Sequence, residues 1–400
     1  MKITAIETIR AESHPNLLWI ELHTDQGLVG LGETFYGAAQ AEAHVHAYLA
    51  PILLGRDPRP IERHWRAMIP YCGYVGTGAE MRALSAIDIA LWDLGGKALG
   101  VPVHQLLGGA VRDEIRVYNT CAGYRYVQNR PAQGTDNFGL PEEAARGEYE
   151  DLDAFLNRAD ELAASLLEMG IGAMKIWPFD FAAEANRGLT ISPAELTKAL
   201  EPFDKIRRAL GDRIEVMAEL HALWLKPAAC EIARALQPYR PFWIEDPVRM
   251  DHLASIKDVA RASTTKIATG ETLGGRAQYR SLLELDAVGV LIMDIGWGGG
   301  LTEARKVAAM AEAWHVPFAT HDCTGPVALA AAVHFSLHAE NALIQEMVRA
   351  FYFGWYGEMV TDLPPLRNGL IRAPEGPGLG LALQPDLKRR PGVTVRRSAL

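Results

Sequence analysis

From residue 116 onward, short apolar runs alternate with amphipathic helical stretches, and this alternation most constrains the fold. The runs are Arg116–Thr120, Ala173–Trp177, Ile214–Glu219, Phe242–Glu245, Lys266–Thr269, Val288–Asp294, Val316–Thr320 and Leu343–Glu346. Between them lie stretches such as Leu152–Leu167, Pro193–Leu210, Pro227–Leu236 and Leu301–Trp314, with apolar residues at helical spacing. Strands separated by helical crossovers pair in parallel. Eight in succession favour closure into a barrel over an open sheet.

The first ~115 residues read differently, with strands first and helices after. Ile3–Arg10 and Leu17–His23 are followed by the turn Asp25-Gln26-Gly27 and the extended run Leu28–Glu33, a hairpin pattern. Ala39–Leu54, Ile61–Met68 and Ala79–Leu99 read as helices, the last stopped by Gly100. The expected organisation is an α+β capping domain over 1–115, a barrel over 116–350, and a segment over 351–400 that packs back on the capping domain.

Three predicted barrel strands run into a glutamate: Glu219 in VMAELH, Glu245 in FWIEDP and Glu271 in IATGET, 26 residues apart each time. That interval is one compact βα unit, so the three side chains fall on adjacent strands at the C-terminal mouth, where barrel enzymes keep their chemistry. Taken singly, each glutamate is as well explained as a helix cap or a solvated acid. Three carboxylates converging on one place repel one another, and a hard divalent cation such as Mg²⁺ relieves the conflict. Asp294 ends the next strand and His321 follows the one after. An Asp accepting from a histidine ring N–H fixes its tautomer and raises its basicity.

These stretches, together with DQGLVGLGE, ALSAIDIALWDLGGKALGVPVHQLLGG, MDIGWGGGLTEA and THD…GP, resemble the enolase superfamily, and within it the mandelate racemase/muconate lactonizing enzyme branch, over nearly the whole chain. The resemblance implies a modified (β/α)7β TIM-type barrel with an α+β capping domain. It also implies Glu219, Glu245 and Glu271 as Mg²⁺ ligands, the Asp294–His321 dyad as general base, and Glu346 against a substrate carboxylate oxygen.

The sequence departs from the branch at two places. Where racemases carry K-x-K at the second strand, this chain reads Lys175-Ile176-Trp177, so the second lysine is replaced by an indole with no basic nitrogen. Lys175 is then either a base or an electrostatic partner of the substrate. The first ligand is Glu where Asp is commoner. Two residues on stands His221, which strand alternation would place on the same face as Glu219. Acid-sugar dehydratases of the branch have D-x-H there, and the resemblance makes His221 the acid that helps a β-hydroxyl leave.

The expected activity is therefore dehydration of an aldonate or aldarate to a 2-keto-3-deoxy acid. The rivals are an isomerase sharing the same proton abstraction, a non-catalytic binding protein on an inherited barrel, and a divalent-metal aldolase. Trp177, Trp224, Trp297, Trp355, Tyr124 and Tyr126 are candidates for the pocket wall or for packing. Arg349 and Lys226 are candidates to meet a distal acid or to be solvated. Substrate choice is expected in the loops Ala11–Asn16 and Tyr36–Ala39. Gly296–Gly300 lacks the layout of a dinucleotide cradle and reads as a tight turn.

A net charge of −9 supplies no basic stripe for nucleic acid. No run of about 18 apolar residues suits a membrane span. The four cysteines include no C-x-x-C pair and read as buried free thiols. The expected partner is a small-molecule carboxylate, the expected setting the cytoplasm, and the expected assembly a homo-oligomer.

Overall fold

The computed structural model describes residues 1–126, 128, 138 and 149–400. The chain opens with β1 (Ile3–Ala11), β2 (His14–Thr24) and β3 (Val29–Phe35), paired antiparallel in order. Gly27, with φ of 75°, turns the second hairpin where a left-handed residue is required. The eight strands that follow are β4 (Ile115–Thr120), β5 (Ala173–Ile176), β6 (Glu215–Glu219), β7 (Ile244–Glu245), β8 (Ile267–Thr269), β9 (Val290–Asp294), β10 (Phe318–His321) and β11 (Ala342–Met347). Each pairs in parallel with the next, and β11 pairs with β4, so the sheet closes into a barrel.

A short hairpin, β12 (Leu366–Arg367) and β13 (Leu370–Ile371), adds antiparallel to the start of β4. The last strand, β14 (Val393–Ala399), returns to the N-terminal sheet and pairs antiparallel with β1. Among the described residues, no helix is long and apolar enough to cross a membrane.

Alternation inside the barrel positions the site. Tyr118, Ala173, Met217, Trp243, Ile292, Ala319 and Ile344 form a buried apolar cluster inside it. Two residues further along each of those strands stand Thr120, Lys175, Glu219, Glu245, Asp294, His321 and Glu346. Successive side chains on a strand alternate faces, so residues i and i+2 both point inward. The apolar layer is the floor, and the polar layer stands on it at the C-terminal mouth.

The helix Ala79–Leu99 lies across β3 at very close range. A Cβ at Gly32 would sit 1.9 Å from the Ala86 carbonyl oxygen, and one at Gly30 would sit 2.2 Å from that of Ala90. Gly30 and Gly32 share a strand face, and Ala86 and Ala90 share a helix face, so the two motifs of small residues face each other. The same helix reaches the barrel: Ser85 Oγ accepts from the Gly299 N–H at 2.9 Å, and Asp88 Oδ2 accepts from the Thr302 N–H at 2.9 Å. Gly296–Gly300 is thus a tight turn forming a seam between the two parts.

Three local expectations change. The stretch Leu152–Leu167 is two helices, Asp151–Asn157 and Ala159–Glu168, broken at Arg158, whose ψ of 53° is not helical. Ala39–Leu54 is helical but passes through a π-helical turn at Val45–Leu49. Cys121 and Cys323 are buried free thiols, Cys230 is half-buried, and Cys72 is exposed.

Gly32→Ala is expected to destabilise the protein by about 1–3 kcal/mol, the usual cost of overpacking where backbone must move. A chemical denaturation midpoint equal to that of the wild type would show that β3 and the helix separate freely.

Candidate active site

The amino group of Lys175, on β5, is surrounded by carboxylates. Its Nζ lies 2.6 Å from Glu245 Oε1, 3.0 Å from Glu346 Oε1 and 3.2 Å from Glu219 Oε2. All four side chains are buried. Burial alone would lower the lysine, but Glu245, Glu346 and Glu219 outweigh it and hold its pKa well above the usual range. Lys175 is an ammonium here.

Glu219, Glu245 and Glu271 each bring one oxygen within 4.8 Å of the others. Trp243 Nε1 donates to Glu245 Oε2 at 2.7 Å, and the backbone N–H groups of Leu220 and His221 donate to Glu219 Oε1. The other oxygen of Glu219 is buried, meets no hydrogen bond of good geometry, and has only the shared Lys175 ammonium at 3.2 Å. Burial and Glu219 drive Glu245 well above the carboxylate range, while at Glu219 the attraction of Lys175 and His221 overcomes burial and holds it low. One lysine does not neutralise this set. A buried carboxylate oxygen that shares one lysine with two other glutamates, among all-oxygen ligands, fits a hard divalent cation.

Glu271 arrives by another route than its two partners. Alternation from Ala268 would put Gly270, not Glu271, on the inner face. Gly270 takes φ of 129° with the Ile292 carbonyl oxygen 2.5 Å from where a Cβ would be. That turn swings Glu271 into the mouth.

His321 Nδ1 is 2.7 Å from Asp294 Oδ2, across adjacent register positions of β9 and β10. Its Nε2 faces Glu271 at 3.4 Å. Burial would lower this imidazole, but Glu271, Glu346 and Asp294 outweigh it and raise it to about 10. Neutralising Glu271 with a cation removes the first of those attractions and returns the ring toward the neutral form a base needs. The Trp297 ring packs on His321 with centroids 4.8 Å apart, and the Arg82 guanidinium covers Trp297 at 4.2 Å.

His221 also reaches the mouth, but not by alternation. β6 ends at Glu219, and His221 lies in the following turn with φ of 46°. Its Nδ1 is fixed 2.6 Å from Asp180 Oδ2, and its ring stands edge-on to Trp177. Burial opposes protonation, yet Asp180 and Glu219 win and raise it to about 9. His221 and His321 both border one small pocket, with Tyr36, Tyr126, Lys175 and Glu346 also lining it.

Glu346 accepts from Thr120 Oγ1, from the Asp322 N–H at 2.7 Å, and from Lys175. Burial would raise it, but Lys175 and His321 hold it below the usual value. Lys175 stands beside it as a hydrogen-bond donor at this spot.

Other candidates lie elsewhere. Arg349 is buried in a bidentate pair with Asp151, and Lys226 pairs with Asp258 at the surface. Trp355 packs on His14 rather than at the base dyad, and Trp224 is core. Tyr124 packs beside Gly354. Within the capping-domain loops named from the sequence, Tyr36 reaches the pocket, while His14 and Asn16 border a separate small cleft with Trp355.

Sequence reasoning missed Asp180, Asp246 and Glu33. Asp246 is visible in the Glu-Asp dipeptide. It is buried, accepts from Thr269 Oγ1 at 2.5 Å and the Gly270 N–H at 3.2 Å, and is pushed up to about 8 by burial and Glu271. It fixes the turn that delivers Glu271. Glu33 ends the motif GLGE, fully buried. It accepts from Trp19 Nε1 at 2.7 Å and from the Ala328 N–H at 2.9 Å, in the first turn of the helix that follows His321. Burial raises it to about 8 against those donors.

Comparison with known proteins agrees with this geometry. Residues 3–108 match the mandelate racemase/muconate lactonizing enzyme N-terminal domain, and residues 158–387 match the enolase C-terminal domain-like family. D-galactonate dehydratase of Variovorax paradoxus is 34% identical over 393 residues, covering 96% of this chain and 93% of that one. The enzyme of the same name from Ralstonia nicotianae is 33% identical over 394 residues, covering 97% and 93%. A crystal structure of an enolase of the mandelate racemase subgroup from Agrobacterium tumefaciens superposes with a TM-score of 0.89 at 50% identity, covering 100% of this chain and 99% of that one. A member of the enolase superfamily from Salmonella Typhimurium gives 0.86 at 26% identity, covering 99% of each.

Lys175→Met is expected to cost about 3–5 kcal/mol in metal-free buffer, because it leaves buried carboxylates without their cation. Denaturation with EDTA should show the loss, and added divalent cation should restore part of it. An unchanged midpoint would mean the glutamates do not need the ammonium.

Proposed function

The chain belongs to the mandelate racemase/muconate lactonizing enzyme branch of the enolase superfamily, and on that premise we propose that it dehydrates a sugar acid, aldonate or aldarate, to a 2-keto-3-deoxy acid. The observation that carries the reading is the pair of carboxylate-backed histidines facing one pocket, His321 on Asp294 and His221 on Asp180. Glu219, Glu245 and Glu271 are the residues that would hold Mg²⁺. When bound, the ion supplies positive charge to offset the negative oxygens that appear as the α-proton leaves.

The substrate carboxylate lies against the Lys175 ammonium, which is oriented by Glu346, itself held by the Thr120 hydroxyl. His321 Nε2 takes the α-proton, while Asp294 holds the opposite nitrogen and stabilises the imidazolium that forms. The resulting ene-diolate expels the β-hydroxyl. His221, held protonated by Asp180, gives that hydroxyl its proton, and it departs as water. The enol then tautomerises to the ketone.

β6 and β10 are four strands apart either way round the barrel, so acid and base approach from opposite sides. An isomerase of the two-base kind would need a second base opposite His321. Where such racemases place their second lysine this chain has Trp177, whose indole has no basic nitrogen to offer, which supports the lyase reading.

A screen of stereochemically matched aldonates and aldarates should give 2-keto-3-deoxy acid with Mg²⁺ and none after EDTA. Solvent deuterium at the α-carbon without any loss of water would favour the isomerase instead.

His221→Asn should cut dehydration by about 10²–10⁴-fold, the usual worth of a positioned acid, while α-proton exchange with deuterated solvent continues. His321→Asn should remove both activities. Full dehydration by the His221 variant would remove that residue from the mechanism.

A further inference from the structure

Beyond the small pocket at the barrel mouth lies a second cavity of roughly 380 Å³, lined by Asp180, Ala183, Arg187, His221, Leu223 and Arg249 among others. That volume falls in the range of small-molecule sites, about 300–1,000 Å³. His221 lines both spaces, so the two meet at its side chain.

The direction of a bound substrate follows from the proposed dehydration, on which this inference rests. With the reacting carboxylate at Lys175, the α-carbon at His321 and the β-hydroxyl at His221, the rest of the carbon chain continues past His221 into the outer cavity.

Among the described residues, the uncommitted charge there is positive. Of the acids on its wall, Asp180 is bound to His221, and Glu184 has an interaction of its own. Among the described residues the Arg187 side chain makes no hydrogen bond or ion pair, its backbone N–H alone being given to the Ala183 carbonyl. Arg249 gives its Nε to Asp251 at 2.8 Å and leaves both terminal nitrogens unbonded.

The helix Asp180–Asn186 sets the spacing. Asp180 opens it beneath His221, and Arg187 caps it in the left-handed conformation with φ of 58°. Seven residues of helix span about 10 Å, a gap that a sugar-acid tail and an arginine side chain close together. Leu223 and Ala183 offer an apolar wall to the C–H faces of such a tail. The planar guanidinium matches a carboxylate in two parallel hydrogen bonds.

We propose that the outer cavity is a subsite for a second carboxylate, held by Arg187 and Arg249, so that the preferred substrates are sugar diacids rather than monoacids with a neutral terminus.

The test uses Mg²⁺-loaded protein in the His321→Asn background, where substrate is not consumed. Galactarate with galactonate, and glucarate with gluconate, are titrated calorimetrically as matched pairs. The diacid of at least one pair should bind about tenfold or more tightly than its monoacid, the worth of one hydrogen-bonded charge. Arg187→Gln with Arg249→Gln should collapse that ratio to near one. Equal affinities within both pairs, a diacid preference that survives the double replacement, or no binding by either pair would overturn the subsite. An Arg187-dependent diacid preference in a protein whose native form releases no water from any of the four acids would instead overturn the dehydratase reading and leave the subsite standing.

Discussion

Like-charge repulsion at the barrel mouth is the constraint on which the rest of the structure turns. Glu219, Glu245, Glu271 and Glu346 converge as buried side chains, where an unpaired charge costs several kcal/mol. Lys175 is placed to touch three of them. Backbone amides, an indole N–H and a threonine hydroxyl satisfy further oxygens. What is left over is negative charge in one place, the condition under which a divalent cation binds and an imidazole is drawn toward protonation. The three glutamates, the Asp294–His321 pair and His221 are therefore one electrostatic unit.

That unit is held from two sides. The barrel supplies the strands, and the capping domain presses on the turns that leave them. Glu33 caps the helix after His321, and Thr34 Oγ1 donates to the Gly296 carbonyl, two residues beyond Asp294, at 2.7 Å. Arg82, also from the capping domain, covers Trp297, which covers His321. The base is thus positioned by residues far from it in sequence. Gly30 and Gly32 make this possible by letting β3 lie directly on the helix that carries Arg82.

Most of the site was legible because barrel strands impose a local code. An inward apolar residue is followed two positions later by a functional one, as in Met217 and Glu219 or Ala319 and His321. Where that code stops, reading stops with it. Glu271 and His221 reach the barrel mouth by a route other than the one alternation predicts. Both lie beyond their strands, and a turn rather than alternation delivers each: the φ of 129° at Gly270 for Glu271, and the left-handed φ of 46° at His221 itself. Arg349 illustrates the opposite case. It sits directly after the eighth barrel strand, yet its guanidinium is consumed by Asp151, 198 residues away.

The sequence by itself determined the barrel, the order of its strands and the identity of the residue at most strand ends, because the two-residue period of a strand and the length of a βα unit are properties of short segments. Only the tertiary structure decided that Lys175 is an ammonium held by three glutamates, that Asp180 backs His221, that Glu33 spans two parts of the chain, and that Arg187 faces a cavity beside the acid. The physical reason is distance along the chain. These partners are 41 to 295 residues apart, and which of them meet depends on barrel closure and on the paths of turns, which no local pattern of hydrophobicity or charge encodes.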